Sequence, residues 1–122
     1  MRVLVVDDEE LIRSVMTDFL EVKGHQVIVA TNGAEALFRI KEMVPDVVFL
    51  DIRMPHMDGM ETLRLIKEPS PAAVVIIISG IATAAMARDL LKNGAFDYIN
   101  KPVNLQHLQH LMGIIEASIQ KD

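Results

Sequence analysis

Five residues of this 122-residue chain are placed so that they could share one piece of chemistry. Asp7 and Asp8 stand side by side in "VLVVDDEE". Asp51 closes "DVVFLD", Ser79 closes "AVVIIIS", and Lys101 follows "FDYIN". Carboxylates brought close repel one another unless a cation joins them. An all-oxygen donor set favours Mg²⁺, which binds through one or two carboxylates and keeps water and phosphate oxygens for its other positions. Mn²⁺ is the alternative ion. A carboxylate beside such an ion can act as a nucleophile toward phosphorus. Phosphoryl transfer asks mainly for positioned positive charge around the equatorial oxygens. Lys101 would supply part of that charge, and Ser79 would add a hydroxyl hydrogen bond.

That grouping depends on a scaffold, and the pattern of the chain supplies one. Val3 to Val6 is a short β-branched run, read as a strand. Leu11, Ile12, Val15, Met16, Phe19 and Leu20 recur at helical spacing, with Gly24 where a helix would end. Residues 25–30, 46–51, 73–79 and 96–100 read as four further strands. Between them lie helical patterns on Ala36, Leu37, Ile40 and Met43, on Met60, Leu63 and Ile66, and over residues 82–93 before Gly94. A last helix carries Leu105, Leu108, Leu111, Met112, Ile115 and Ile119 on one side. Asn32-Gly33 reads as a turn, and "IRMPHMDG" as a loop punctuated by Pro55 and Gly59. Strands alternating with helices of this length predict a parallel sheet. "VLVV", "VVFL" and "VVIII" are apolar throughout, the pattern of strands covered on both faces. The expectation is an α/β domain with five parallel strands and five helices. In such sheets ligands bind beyond the carboxyl ends of the strands. If the strand order is 2-1-3-4-5, the first and third strands are neighbours at the switch point. Asp7, Asp8 and Asp51 then meet in one crevice, flanked by Ser79 and Lys101.

Composition narrows the function classes. Half the chain is apolar (51%), enough for a core, yet aromatics are only 4%, so aliphatic side chains must fill it. A net charge of −5 argues against a basic nucleic-acid-binding face. With no cysteine, disulfides and thiolate metal sites are excluded. The first ten residues do not read as a secretory signal, and "AAVVIII" falls far short of the roughly 20 residues a membrane span needs. A single cytoplasmic domain over residues 1–122, without membrane or direct nucleic-acid contact, is the expectation.

At this point "VVDDEE", "VVFLDIRMPHMDG", "IIISG" and "DYINKP" together resemble the receiver domain of two-component response regulators, in the family's order and spacing and over the whole chain. The resemblance implies a flavodoxin-like, doubly wound fold. It implies that Asp51 is the phosphoacceptor, and that Asp8 binds Mg²⁺ directly with Asp7 as its partner. The backbone carbonyl of Arg53 would be a further metal ligand. Ser79 matches the hydroxyl that meets the phosphoryl group, Lys101 the family's lysine, and Tyr98 the aromatic switch residue. Lys101-Pro102 resembles a bond that is cis in this family. The implied partners are a sensor histidine kinase or phosphotransfer protein and a downstream effector or output domain; a phosphorylation-dependent homodimer through the last face is open to the chain, but no sequence feature supports it. Ser79-Gly80 stands where Thr-Ala is frequent, which removes a χ1-stiffening methyl. Arg53 and Ile81 are expected to restrict the water that ends the phosphorylated state.

Plainer readings stand beside these. Asp7 and Asp8 could cap the first helix. Glu9 and Glu10 read as solvated acids of its first turn. Met54, Met57 and Met60 read as loop packing, and His107 and His110 as surface histidines off the apolar face. His56 lies in the loop after Asp51 and is given no role. Rival functions are separable. A phosphatase with an aspartyl-phosphate intermediate would want a second acid two residues past Asp51, where Arg53 stands. A nucleotide or flavin binder would want a glycine-rich first turn where "DDEE" stands. A degenerate docking module would not need the full set of Asp7, Asp8, Asp51, Ser79 and Lys101.

Overall fold

The computed structural model describes residues 1–54, 57–80 and 83–119. The apolar runs form the strands expected of them: β1 (Arg2–Val6), β2 (Gln26–Ala30), β3 (Val47–Asp51), β6 (Val74–Ser79) and β7 (Asp97–Asn100). These five pair in parallel in the order β2-β1-β3-β6-β7, which is the order 2-1-3-4-5 counted along the main strands. The helices are α1 (Glu10–Val22), α2 (Gly33–Glu42), α3 (Gly59–Lys67), α4 (Ala84–Lys92) and α5 (Leu105–Ile119).

Alternation along each strand divides the core into two layers, since successive side chains leave a strand on opposite faces. Leu4, Val6, Val48, Leu50, Val75 and Ile77 pack with Ile40 of α2, Leu63 and Ile66 of α3 and Leu90 of α4. Val3, Val5, Val47, Phe49, Ile76 and Ile78 pack on the other face with Met16 and Leu20 of α1 and Leu108, Leu111 and Ile115 of α5. Burial on both faces explains why the central strands show no polar alternation. At about 25 cal/mol per Å² of apolar area, each fully buried Leu, Ile or Phe contributes about 1.5–3 kcal/mol.

Several local expectations change. Asn32 and Gly33 are not a free turn. Asn32 caps α2 by accepting the Glu35 N–H at 2.8 Å, and Gly33 is the first helical residue. The stretch after Asp51 is not all loop: β4 (Arg53–Met54) and β5 (Met57–Asp58) pair as a minimal antiparallel ribbon. Pairs this short have no readable periodicity. Asp58 then caps α3 through the Met60 N–H at 3.0 Å, and Thr83 caps α4 through the Met86 N–H at 3.1 Å. On α1 the inward face is narrower than its apolar pattern. Met16 and Leu20 are buried, whereas Leu11 is 71% exposed and Val15 lies outward as well. Gly24 and Gly94 follow α1 and α4 with φ of 92° and 106°, the left-handed conformation glycine accepts most easily. Among the described residues, no helix is long and apolar enough to cross a membrane.

Candidate functional site

The carboxyl edge of the sheet gathers the expected residues because each ends or follows a central strand. Asp7 follows β1, Asp51 is the last residue of β3, Ser79 the last of β6, and Lys101 follows β7. β1 and β3 are adjacent, so Asp7, Asp8 and Asp51 converge as anticipated: each offers one carboxylate oxygen, and these lie within 4.8 Å of one another. Asp7 and Asp51 are buried, while Asp8 is exposed at the rim.

Local hydrogen bonds fix the two buried acids. Asp7 Oδ1 accepts the Glu9 N–H at 2.8 Å, and Asp51 Oδ1 accepts the Arg53 N–H at 2.9 Å. The side chain thus folds back on the backbone two residues on, leaving the second oxygen of each acid aimed into the cleft. Asp7 and Asp8 are not the caps of α1: Glu9 holds the N-cap position, no side chain caps the helix, and Asp7 Oδ1 binds only the Glu9 N–H just ahead of it. The Arg13 guanidinium donates to the Asp7 carbonyl at 2.7 Å, which ties that strand end to α1.

Lys101 is the counter-charge. Its ammonium Nζ lies 3.1 Å from Asp51 Oδ2, 3.1 Å from Asp7 Oδ2 and 3.1 Å from Glu9 Oε1. Its backbone is set by β6, since the Lys101 N–H donates to the Ser79 carbonyl at 2.8 Å, and the Lys101-Pro102 peptide is cis. Burial works against the ammonium, but its contacts with Asp51, Glu9 and Asp7 prevail and hold its pKa above the ordinary lysine range. Asp7 is moved upward from its usual 3.8. Burial is the main cause and the Asp51 charge adds to it, with the Glu9 N–H and Lys101 opposing.

The donor set suits a hard divalent cation. The three clustered carboxylates of Asp7, Asp8 and Asp51 offer only oxygens, and Lys101 pairs with two of them, Asp7 and Asp51. Asp7 Oδ2 is buried beside Lys101 yet has no hydrogen bond of good geometry among the described residues, so it retains lone pairs for a cation. Asp8, Glu9, Asp51, Arg53, Gly80 and Lys101 line the open cleft above these acids.

The remaining expected residues fall at different distances from this centre. Ser79 is fully buried at the end of β6, in register with Asn100 beside Lys101. Tyr98 is half-buried; it touches the α2–α3–α4 core layer and lines a groove with Asn104 and His107. Arg53 is exposed at the mouth of the cleft. His107 and His110 are exposed on α5, in keeping with surface histidines. Met60 packs against the core layer. His56 and Ile81, and the side chains of Met54 and Met57, lie outside the described residues. Glu9 is the residue that sequence reasoning missed. It is the N-cap of α1 by position, yet its side chain makes no cap hydrogen bond and turns to Lys101 instead.

Comparison with known proteins bears on the family and the fold. The response regulator receiver domain family matches residues 3–112. The chain is 40% identical over 102 residues to the chemotaxis protein CheY of Thermotoga maritima, covering 83% of this chain and 85% of that one. It is 45% identical over 104 residues to a protein-glutamate methylesterase/protein-glutamine glutaminase of Archaeoglobus fulgidus, but those residues are 84% of this chain and only 30% of the longer protein. The crystal structure of a CheY-like receiver domain protein from Methanospirillum hungatei superposes with a TM-score of 0.90 at 29% identity, covering 99% of this chain and 98% of that one.

Proposed function

Because the chain belongs to the family of response regulator receiver domains, we propose that Asp51 accepts a phosphoryl group from the phosphohistidine of a sensor histidine kinase or phosphotransfer protein. The phosphoacceptor role of such domains in two-component signalling fits the fold and the relatives alike. The observation that carries the residue assignment is the pinning of Asp51. It is buried at a strand end, with Oδ1 held by the Arg53 N–H and Oδ2 turned into the cleft against Lys101.

In this reading Asp51 Oδ2 forms the new O–P bond while the P–N bond to the donor imidazole breaks, and that nitrogen keeps the electron pair. Asp7, Asp8 and Asp51, with the Arg53 backbone carbonyl, would hold Mg²⁺, whose charge offsets that of the phosphoryl oxygens. Lys101 is already within reach of Asp51 and would meet one phosphoryl oxygen. Ser79, at the end of the neighbouring strand, would donate its hydroxyl to another. A dianion placed here pulls on both β6 and β7, because the Lys101 N–H is bonded to the Ser79 carbonyl. Tyr98, three residues before Lys101 and half-buried, would turn inward, and the surface of α4, β7 and α5 would shift between two populations for an effector, an output domain or a second copy to read. The domain would then act as a regulated phosphoacceptor whose only chemistry is on itself.

The test is incubation with Mg²⁺ and acetyl phosphate, followed by intact mass and hydroxylamine sensitivity. The expected result is one acid-stable, base-labile phosphoryl group, absent in Asp51→Asn. No acyl phosphate, together with no response to beryllofluoride, would leave a phosphorylation-independent docking module. Rapid turnover of many phosphate esters would indicate a hydrolase.

A further inference from the structure

The ammonium of Lys101 has three N–H donors and faces three acids at the same 3.1 Å separation. Two of those contacts, to Glu9 and Asp51, are hydrogen bonds, and the remaining side faces Asp7. The Lys101 side chain is only 15% exposed, so water offers it little further room. A phosphoryl oxygen arriving on Asp51 is a new anionic acceptor for an ammonium that is already surrounded. Asp51 Oδ2, which becomes the ester oxygen, gives up Lys101 to that acceptor, and the ammonium, drawn outward with the phosphoryl group, has also to loosen from Asp7 or Glu9.

Burial decides which. Asp7 is wholly buried and tied to the Glu9 N–H, so its carboxylate cannot turn to water. Asp51 is the residue that changes. Glu9 is 57% exposed, reaches the cleft on a flexible side chain, and uses neither carboxylate oxygen in capping α1. Water can replace Lys101 around Glu9 at small cost.

Resting on the phosphoacceptor reading above, we infer that Glu9 is a positioning residue that acts through Lys101. It holds the ammonium at the rim of the cleft in the unphosphorylated protein and releases it when the phosphoryl group arrives. Glu9 thereby sets a threshold against the phosphorylated arrangement. An exposed ion pair of this kind corresponds to roughly a 1.5- to 5-fold bias in the equilibrium.

The test compares Glu9→Gln with Glu10→Gln, which removes the same charge one residue on, from an exposed acid of α1 outside the cleft lining. Beryllofluoride affinity is measured by titration at saturating Mg²⁺, with Mg²⁺ affinity determined separately. Glu9→Gln should bind beryllofluoride about 1.5- to 5-fold more tightly than wild type, and Glu10→Gln should match wild type. In the metal-free protein, the side-chain ammonium NMR resonance of Lys101 should move in Glu9→Gln alone. Equal or weaker binding by Glu9→Gln, or an equal gain in Glu10→Gln, overturns the inference. Wild-type protein that does not bind beryllofluoride at all overturns the phosphoacceptor reading instead.

Discussion

Replacing Asp7 with Asn should stabilise the metal-free protein, although Asp7 is ion-paired. The Lys101 ammonium lies 3.1 Å from Asp7 Oδ2, a gross attraction of about 5 kcal/mol at an effective dielectric of 20. Against it stand the carboxylates of Asp8 and Asp51, within 4.8 Å of Asp7, each repelling it by at least about 3 kcal/mol on the same scale. The two repulsions together exceed the attraction by about 1–2 kcal/mol, and desolvation of a fully buried carboxylate acts in the same direction. Asn keeps an Oδ1 acceptor for the Glu9 N–H, so the local turn survives. The expected gain is about 1–2 kcal/mol.

The pH dependence follows from the same cause. Burial raises the Asp7 pKa in the folded state above its ordinary 3.8, so the native protein binds more protons than the unfolded chain between those two values. Stability contributed by this group falls as pH rises through that window, and Asp7→Asn removes the fall. Mg²⁺ should reverse the order of the two proteins. Wild type gains RT ln(1 + [Mg²⁺]/Kd), about 2.7 kcal/mol at a hundredfold excess over Kd, and the variant gains far less. Urea unfolding followed by far-UV circular dichroism, with chelator and then with Mg²⁺, gives all four stabilities. A metal-free variant less stable than wild type by about 1 kcal/mol or more would refute the charge accounting. An undiminished Mg²⁺ gain would refute the role of Asp7 in the site.

Other outcomes follow from neighbouring contacts. Lys101→Ala leaves Asp7 and Asp51 without their counter-charge, so it should lose about 2–4 kcal/mol of metal-free stability in the same urea assay, with part of the loss recovered in Mg²⁺. Its phosphorylation should no longer alter the NMR resonances of α4 and α5; normal signalling by this variant would disprove the coupling. A Cβ at Gly59 would lie 2.6 Å from Ile52 Cβ and 2.8 Å from its Cα, so Gly59→Ala must push away the segment that follows Asp51. A loss of about 1–3 kcal/mol and slower phosphorylation by acetyl phosphate are expected. His25 is nearly buried, with Nδ1 3.1 Å from the Met1 amine and Nε2 3.1 Å from Glu116, and burial together with the amine lowers its pKa. The unfolded chain then binds more protons below about pH 6.5, so stability falls with acidification there, and His25→Gln should show a shallower fall in unfolding midpoint. Arg53→Ala should change the decay rate of the acyl phosphate, measured by loss of the phosphorylated mass; an unchanged rate would reject a role for Arg53 in restricting the attacking water.

What was legible in the sequence, and what was not, divides along the distance over which each interaction acts. "VLVV", "VVFL" and "VVIII" are apolar at every position because helices cover both faces of the sheet, and a run of that kind ends visibly where a polar residue begins. Asp7, Asp51 and Ser79 sit at those ends, so finding the strands also found the site. The apolar pattern of α1 misled for a related reason: it records which residues are hydrophobic but not how wide a face the sheet can cover, and Leu11 was left outside. The ribbon β4–β5 and the contact between Gly59 and Ile52 involve too few residues to leave a period.

Glu9 shows the limit most clearly. Its local context, after two aspartates and before a helix, describes a helix-start acid, and by backbone position it is one. Its side chain is governed by Lys101, 92 residues away, and that pairing exists only because parallel strands bring the ends of β1 and β7 to the same edge of the sheet. An excess of acids over ammonium at that edge keeps one buried carboxylate, Asp7, poorly satisfied and the other, Asp51, held by a lysine it must share. Such a site is balanced against itself before any ligand arrives. On the phosphoacceptor reading proposed above, added charge at Asp51 would redistribute Lys101 among its partners and, through the Ser79 carbonyl, pull on the strands that carry them.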